Sequence, residues 1–316
     1  MDKTSDPSVS PTPAKKRVDY TGMAIFAIIV LGIGMLLYTQ AADWFSTRNH
    51  NEQVSGYIDS VDDLDDEARQ HALDLANEYN KRMPQGPLRD PYTASSDPQG
   101  DAEATEAYKQ LLSVSDDGVI GQVLYPRLDI SLPVYHGTAD EVLRKGVGHI
   151  FGSSLPVGGP STRSVLTSHS GLVNASLFTP LLKAEIGDIF TVQVLGDKHW
   201  YQVNKIDTVL PEDTSSLAIV DNQDYVTLIT CSPLGINTHR LLVHGVRISP
   251  PDTAEFNNVI DGDGKTEGFP WWVALFLGGA AAVGWILFAP PRKQILDSEE
   301  VDETPVDSDQ ESVSKR

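Results

Sequence analysis

The clearest pattern in the chain is a pair of long stretches without any charged residue. The first lies between Asp19 and Asp43, and the second lies between Glu267 and Arg292. Surface helices of soluble proteins alternate apolar and charged faces, so they seldom run this far without a charge. At about 1.5 Å per residue, the apolar centre of the first stretch, residues 22–38, spans about 25 Å, near the lower limit for crossing a bilayer. The pattern therefore predicts two transmembrane helices.

We place these helices over residues 20–42 and 269–290. Tryptophans near the ends of the second helix are typical of a membrane interface. A cleaved signal peptide is the alternative for the first helix, given Gln40-Ala41-Ala42 at its end. A buried core helix is the alternative for the second.

The basic residues that flank these helices predict their orientation. A basic run at residues 15–17 precedes the first helix, and Arg292 and Lys293 follow the second. Positive flanks tend to stay in the cytoplasm. We therefore expect a protein of the cell membrane with two segments, both termini cytoplasmic and residues 43–267 facing outward.

Helical periodicity continues at the start of the outward segment. Apolar residues recur at helical spacing from Ser60 to Met83, with Ser60 and Asp63 as the N-terminal cap. A loop rich in Pro, Ser and Asp follows, and a second helix runs from about Asp101 to Val114. We therefore predict a helical region over residues 43–115 that contains a loop between two helices.

From Gly118 onward the pattern changes to short apolar runs separated by Gly and Pro turns. Two short helices interrupt these runs, near Glu141–Lys145 and Leu177–Ala184. The runs predict a mainly β domain over residues 116–252, either a closed barrel or a sandwich. The seven predicted strands cover residues 119–125, 130–135, 164–168, 189–195, 200–210, 225–231 and 240–248.

The remaining segments are polar. Residues 1–19 are rich in Ser, Pro and Thr, and residues 291–316 are acidic and rich in Ser. Both compositions are typical of disordered tails, which would here be cytoplasmic. Residues 253–268 would form a linker between the β domain and the second membrane helix.

Charge and cysteine content exclude several functional classes. The chain has 316 residues, 24 of them basic and 44 acidic, with a net charge of -20 and one cysteine. A nucleic-acid-binding protein needs a basic surface, so nucleic acid is not an expected partner. One cysteine excludes an intrachain disulfide framework and a zinc site built from several cysteines. The single thiol is either a small buried hydrophobe or a nucleophile.

The neighbourhood of that cysteine suggests a reactive site. Cys231 ends the predicted strand 225–231 and is followed by Ser232-Pro233, and Arg240 begins the next strand. Two antiparallel strands joined in this way can place a thiol and a guanidinium side by side. The positive charge would lower the pKa of the thiol and could stabilise an oxyanion. An inert buried cysteine beside a surface arginine remains the alternative.

A thiol nucleophile also needs a proton partner, and the chain has eight histidines. His169 ends the predicted strand 164–168 beside a loop. His239, His149 and His136 are further candidates. Spacing alone does not choose among these four.

Five segments carry a resemblance to a known family. They are Ser131-Leu-Pro-Val-Tyr-His-Gly-Thr138, Gly148-His149, Ser154-Leu-Pro-Val-Gly-Gly159, Thr167-Ser-His-Ser-Gly171, and Thr227-Leu-Ile-Thr-Cys231 with Asn237-Thr-His-Arg-Leu241. In this order, over roughly residues 60–250, they resemble sortases, the extracytoplasmic cysteine transpeptidases of Gram-positive bacteria. The resemblance implies a sortase-like closed β-barrel with short helices. It also implies Cys231 as nucleophile, His169 as acid and base, and Arg240 as the residue that stabilises oxyanion and substrate.

The histidine motif departs from the family in one respect. Sortases more often have Gly before this histidine and a larger residue after it, where this chain has Ser168 and Ser170. The departure concerns the geometry of the loop and leaves the histidine in place.

The loop between the two predicted helices contains Asp90-Pro91-Tyr92. This segment resembles the Asp-Pro-aromatic lid motif of class C, pilin-polymerising sortases, and the second membrane helix fits the same class. A carboxylate can pair with Arg240 while the aromatic ring shields the sulfur of Cys231. An ordinary Asp-Pro turn is the alternative.

The resemblance implies a specific reaction. Cys231 would cleave an LPXTG-type sorting signal of a pilin subunit between Thr and Gly, and a lysine amine of another pilin would resolve the thioester. No metal or organic cofactor is required, and hydrolysis would be a side activity. A cell-wall-anchoring sortase that uses a peptidoglycan-precursor amine is one alternative. A non-enzymatic, membrane-anchored surface protein is another, although no LPXTG motif precedes the second apolar segment.

Overall fold

A computed structural model describes residues 20–82, 88, 90–92, 102–251 and 268–289 of the chain. The predicted tails at 1–19 and 291–316, and the predicted linker up to residue 267, lie outside the described residues. Within the described residues the α-helices are α1 (Tyr20–Asp62), α2 (Asp66–Arg82), α3 (Ala102–Gln110), α4 (Asp140–Lys145) and α5 (Trp271–Phe288). The strands are β1 (Val119–Tyr125), β2 (Ile130–His136), β3 (Val147–His149), β4 (Thr162–Thr167), β5 (Ile189–Val194), β6 (Asp197–Val209), β7 (Asp224–Ser232) and β8 (His239–Ile248).

The eight strands close into a barrel in the order β1-β2-β3-β4-β7-β8-β6-β5, with β5 paired to β1. The choice between barrel and sandwich that the sequence left open is therefore resolved. Alternating apolar residues fill the interior. Phe190 stacks between Tyr125 and Tyr201 with ring centroids 5.6 Å apart on each side. Gly245 makes room for this stack, because a Cβ atom there would lie 2.5 Å from the ring of Phe190.

The prediction of seven strands omitted β3. This strand has only three residues, Val147, Gly148 and His149, too few for an apolar run to stand out in the sequence. It pairs in parallel with β2 and antiparallel with β4. Gly148 is required there, since a Cβ atom would lie 2.3 Å from the carbonyl oxygen of Gly137.

The first predicted membrane helix and the start of the helical region form one continuous helix, α1, of 43 residues. The predicted helix start at Ser60 is wrong: Ser60 lies inside α1, where its hydroxyl donates to the carbonyl of Gly56 at 2.8 Å. Helix α2 instead begins after Asp65, whose carboxylate accepts from the backbone N–H of Ala68 at 2.7 Å. A side-chain acceptor at this position satisfies a free N–H of the first turn.

Helices α1 and α5 are long and apolar enough to cross a membrane by length and composition. They pack against each other, with the rings of Phe26 and Phe288 6.1 Å apart. A Cβ atom on Gly279 would lie 3.2 Å from Ile33, so a small residue allows the close approach. None of the most apolar window of α5 is buried, which argues against a core helix of a soluble domain. Both helices are candidate membrane spans.

Candidate active site

Cys231 and Arg240 are directly opposite each other on the antiparallel strands β7 and β8. Side chains of paired residues point to the same face of a sheet. This face is the outer one, because Ile229 and Leu242, two residues along each strand, pack in an apolar cluster separate from the barrel interior. The thiol and the guanidinium are both buried. The strand pairing thus places the two groups side by side, as the spacing in the sequence suggested.

Asp90 pairs with Arg240 through both of its carboxylate oxygens. Nε and Nη2 of Arg240 donate to Oδ1 and Oδ2 of Asp90, each at 2.7 Å. The remaining nitrogen, Nη1, donates to the backbone carbonyls of Asn237 and His239. Because both side chains of the ion pair are buried, neither charge is well solvated and the pair depends on its own geometry.

Tyr92, two residues after Asp90, covers the same site. Its ring lies 4.8 Å from the guanidinium carbon of Arg240 and 5.6 Å from the imidazole of His169. Its hydroxyl donates to the carbonyl of Ser168 at 2.6 Å and accepts from the hydroxyl of Thr167 at 2.7 Å. The aromatic residue is therefore tied to the end of β4 as well as to Arg240.

An apolar surface continues from Cys231 along the outer face of the barrel. It is formed by Ile150, Val165, Leu217, Ile229 and Leu242. Leu88 and Tyr92, from the segment that contains Asp90, pack on this surface. The same short segment thus covers both Arg240 and the apolar surface beside it.

His169 follows β4 and is oriented by a residue that the sequence did not single out. Its Nε2 lies 3.0 Å from Oδ1 of Asp140, at the start of α4. Hydrogen bonding to Arg144 and then to His169 lowers the pKa of Asp140. An ionised carboxylate only accepts, so Nε2 of His169 carries a proton and Nδ1 is the nitrogen left to exchange one. Asp140 lies 29 residues before His169, and no local motif in the sequence links the two.

The two serines that depart from the family pattern are both buried and hydrogen-bonded. Ser168 donates to the carbonyl of Gly146 at 2.6 Å. Ser170 donates to the carbonyl of Cys231 at 3.0 Å. These bonds tie both sides of His169 to neighbouring elements, which fixes the loop despite its unusual sequence.

The other candidate histidines have separate roles. His149 is fully buried between the hydroxyl of Tyr108, 2.6 Å from its Nδ1, and the carbonyl of Ser154, 2.8 Å from its Nε2. Burial lowers its pKa to about 4, so it is neutral. His136 packs edge-on against Tyr108. His239 contacts the hydroxyl of Thr238.

The electrostatics of the thiol differ from the expectation. Burial raises the pKa of Cys231 above its usual value; Arg240 opposes this, and Asp90 adds to it. The expected lowering by Arg240 is therefore present but outweighed, since the buried thiolate loses solvation and faces the carboxylate of Asp90. With Asp90 in place, Cys231 is a neutral thiol.

Among the described residues, no group of three or more His, Cys, Asp or Glu side chains is arranged to hold a metal ion. The site consists of a thiol, a guanidinium, an imidazole and two carboxylates. Such a set is suited to acyl transfer through a covalent intermediate.

Comparisons with known proteins agree with this geometry. The family model described as Sortase domain matches residues 124–248. Sortase C-1 from Actinomyces oris is 44% identical in its crystal structure, with a TM-score of 0.55, 58% of this chain covered and 99% of that chain. The pilus-related sortase C of Group B Streptococcus is 37% identical, with a TM-score of 0.57 and coverage of 62% and 96%.

A curated relative, sortase A of Streptococcus agalactiae serotype III (strain NEM316), is 28% identical over 129 residues. The match covers 40% of this chain and spans about half, 51%, of that relative. Because the structural matches cover nearly the whole of the solved chains at well above 30% identity, the chain belongs to the sortase family, with class C sortases among its structural neighbours.

Proposed function

We propose that the protein is a membrane-anchored class C sortase that polymerises pilins. It cleaves LPXTG-type sorting signals between Thr and Gly and joins the acyl group to a lysine amine of another pilin subunit. The observation that carries this proposal is the bidentate pair between Asp90 and the Arg240 guanidinium beside Cys231. The segment around Asp90 acts as a lid, and the class C structures among the neighbours support the same assignment.

Opening of the lid would prepare the site in two ways. Nε and Nη2 of Arg240 are engaged by Asp90, so Arg240 can use them for a substrate only after Asp90 leaves. Departure of Asp90 also removes one of the two causes that raise the pKa of Cys231, while Arg240, which lowers it, stays in place. Access to the site and activation of the thiol are therefore coupled.

The first half of the reaction forms a thioester. The thiol of Cys231 gives its proton to Nδ1 of His169, and the resulting Sγ thiolate attacks the carbonyl carbon of the Thr residue in the sorting signal. N–H groups of Arg240 donate to the oxyanion that develops. As the C–N bond breaks, His169 gives a proton to the Gly amine, which leaves. The acyl group is now bound to Cys231.

The second half transfers the acyl group. The neutral amine of a pilin lysine attacks the thioester carbonyl, His169 takes the proton that the amine loses, and the thiolate of Cys231 is released. Asp140 holds Nε2 of His169, so the same nitrogen, Nδ1, handles the proton in both halves. This gives Asp140 a positioning role, since it touches the imidazole and no reacting atom.

The apolar surface under the lid is a candidate binding surface for the substrate. Leu88 and Tyr92 pack on Ile150, Val165, Leu217, Ile229 and Leu242. The Leu and Pro side chains of a sorting signal have the apolar character to occupy this surface once the lid has left. We infer that the lid and the substrate compete for one binding surface.

Capture of the thioester tests the proposal. The full chain is incubated with an LPXTG peptide, and mass spectrometry measures the acyl adduct in the wild type, in Asp90→Ala and in Cys231→Ala. We expect an adduct that is more abundant in Asp90→Ala and absent in Cys231→Ala. No adduct in the lid variant, or an adduct that persists without the thiol, would overturn the mechanism and favour a non-enzymatic surface protein.

A second measurement identifies the acceptor. The acyl-enzyme is offered a pilin peptide with its lysine, the same peptide with Lys replaced by Arg, and a peptidoglycan-precursor amine. Polymerisation predicts transfer to the lysine peptide alone. Faster transfer to the precursor amine would instead identify a cell-wall-anchoring sortase.

A separate experiment tests the membrane topology. Labelling of each terminus from one side of the membrane only tests the cytoplasmic location that we expect for both termini.

A further inference from the structure

Two loops at the catalytic end of the barrel expose apolar side chains. One follows His169 and contains Val173, which is 64% exposed. The other follows Cys231 and contains Leu234 and Ile236, which are 49% and 68% exposed. The loops touch, since a Cβ atom on Gly171 would lie 2.9 Å from Leu234. They form one apolar rim beside the active site, and exposed apolar patches often mark an interaction surface.

The first of these loops is attached to α1 at the outer end of its apolar segment. The backbone N–H of Ser176 donates to Oδ1 of Asp43 at 2.7 Å, and Asp43 is the first charged residue after the apolar run. A cleft of about 320 Å³ lies between this loop and α1; it is lined by Thr39, Gln40, Asp43, Leu172, Val173, Ala175 and Ser176. Val173 thus lies beside a turn of α1 that precedes Asp43, on the membrane side.

Aromatic residues lie at the same level. The ring of Trp272, at the start of α5, lies 6.4 Å from Trp44 and 5.9 Å from Phe45. The indole N–H of Trp44 donates to the carbonyl of Gly268 at 3.1 Å. Tryptophan belts are typical of the boundary between hydrocarbon and headgroups. The cluster therefore indicates that Asp43 lies at the level of the boundary between hydrocarbon and headgroups.

Contacts farther along α1 show which end of the barrel lies nearer the apolar segment of that helix. The hydroxyl of Tyr57 accepts from the N–H of Leu195 at 2.8 Å, in the turn before β6. That turn is at the end of the barrel away from the site, because Val209, at the other end of β6, pairs with Arg240. Tyr57 lies 14 residues beyond Asp43, about 21 Å along the helix. One end of the barrel is therefore near the membrane, and it is the catalytic end.

We propose that the apolar rim of Val173, Leu234 and Ile236 contacts the interfacial region of the lipid bilayer, so that the active site faces the membrane. This orientation follows from the attachment of the loop to α1 and does not depend on the reaction. The partner is the lipid surface itself, since Val173 of the rim lines a cleft with the outer end of the apolar segment of α1.

Site-specific fluorescence tests the proposal. In a Cys231→Ala background the chain has no other cysteine, so Val173→Cys can carry a single environment-sensitive fluorophore. The matched control is Val220→Cys, an exposed valine before the start of β7 and so at the opposite end of the barrel from Cys231. Met35→Cys, an exposed position in the apolar part of α1, reports the span itself. The full chain is reconstituted in vesicles of phosphatidylcholine and phosphatidylglycerol in equal amounts.

We expect nitroxide-labelled lipids to quench the probe at position 173 several-fold more than the probe at position 220, and acrylamide to do the reverse. Equal lipid quenching at the two positions would overturn the proposal, as would an unquenched probe at position 35. Shielding at position 173 only after an LPXTG peptide is added would assign the rim to the protein substrate instead. If Val173→Cys does not fold, Ile236→Cys provides the same comparison. The inactive background makes the outcome independent of the proposed transpeptidation.

Discussion

Two buried arginines on the outer face of the barrel differ in the charge of their hydrogen-bond partners. Arg240 is 9% exposed and Arg163 is 4% exposed. Each guanidinium lies over a tyrosine ring, Tyr92 at 4.8 Å and Tyr225 at 4.4 Å. Arg240 has a carboxylate partner, whereas the hydrogen-bond partners of Arg163 in the described part of the chain are all neutral.

The partners of Arg163 are two residues of barrel strands, Thr227 and His244, and one residue of the β6–β7 connection, Ala218. Its Nε donates to the carbonyl of Ala218 at 2.8 Å, and its Nη1 donates to the hydroxyl of Thr227 at 2.9 Å. Nη1 also lies 3.2 Å from Nδ1 of His244. Burial lowers the pKa of Arg163, and burial likewise acts on Arg240 but is opposed there by Asp90, so that the pKa of Arg240 is raised.

The difference indicates which arginine is free to act. Thr227 and His244 are strand residues and cannot leave Arg163 without disrupting the barrel, so we expect its role to be structural. Asp90 belongs to a short segment outside the strands; its departure, which we propose as opening of a lid, would leave Arg240 positively charged beside Cys231. A buried charge with a removable partner is suited to bind a substrate oxyanion.

The comparison is tested most strongly by replacing each arginine. We expect Arg240→Ala to lower kcat by roughly 10²–10³-fold, because an oxyanion donor is lost. We expect Arg163→Ala to leave the turnover of folded molecules unchanged but to lower the free energy of unfolding by about 2–4 kcal/mol, because buried acceptors lose their donor. Peptide transfer kinetics and urea unfolding measure both effects. The opposite distribution of effects would show that the comparison is wrong.

Replacement of Asp90, the proposed lid residue that pairs with Arg240, is expected to give the next largest effect. In Asp90→Ala the closed lid would bury an unpaired guanidinium, so the open state becomes favoured. We expect the rate of Cys231 modification by a thiol reagent to rise roughly 10- to 100-fold, because a buried pair with one partner removed is costly. Asp221→Ala, an exposed carboxylate at the other end of β7, is the control. An unchanged modification rate in Asp90→Ala would argue against the lid.

Acidification is expected to weaken the cluster around Arg163. His244 has its pKa lowered to about 4 by burial and by Arg163, with Asp207 acting in the opposite direction. Between that value and the ordinary 6.5, the unfolded state binds more protons, so unfolding free energy falls as the pH falls. The slope per such histidine approaches about 1.4 kcal/mol per pH unit.

We expect His244→Gln to flatten the dependence of unfolding free energy on pH between 4 and 6.5, as measured by urea unfolding across that range. His149 and His199 have pKa values lowered to about 4 as well, and they contribute the same pH dependence of unfolding free energy in the wild type and in His244→Gln. The difference between wild type and variant therefore isolates His244. His71→Gln, on the exposed face of α2, serves as control. A slope that does not change in His244→Gln would contradict the assignment.

The smallest effect is expected at the hydroxyl of Tyr92. Tyr92→Phe keeps the ring over Arg240 but loses the hydrogen bond to the carbonyl of Ser168. A net hydrogen bond contributes about 1 kcal/mol, so thiol modification should accelerate about 5-fold. Tyr225→Phe, at the ring under Arg163, should leave the modification rate unchanged. Equal acceleration by both substitutions would mean that the ring hydroxyls act on global stability and not on the lid.

The sequence predicted the features that depend on short-range pattern. The strands other than β3 appear close to their predicted positions, because alternating apolar residues and turn residues are local signals. The pairing of Cys231 with Arg240 was accessible for the same reason, since one hairpin joins them. The pairing of Asp90 with Arg240 was expected only through the resemblance, because nothing local connects Asp90 to a residue 150 positions away.

Features that need long-range contacts were missed. Asp140 reaches His169 only because folding brings the start of α4 next to the loop that follows β4. The break between α1 and α2 was placed too early, because the helical pattern of the two helices is continuous in the sequence and only the cap at Asp65 separates them. The raised pKa of Cys231 could not be predicted, since burial and Asp90 act on it only in the folded chain.

The sequence by itself determined the apolar stretches, the strands of the barrel other than β3 and the nearness of Cys231 to Arg240, because each depends on residue type and local spacing. His169 was selected among the histidines only through the resemblance. Only the tertiary structure decided which charges meet. It paired Arg240 with Asp90 and left Arg163 with neutral partners, and it attached the loop after His169 to the outer end of α1. The physical reason is that burial and Coulomb interactions depend on distances in space, which chain separation does not specify.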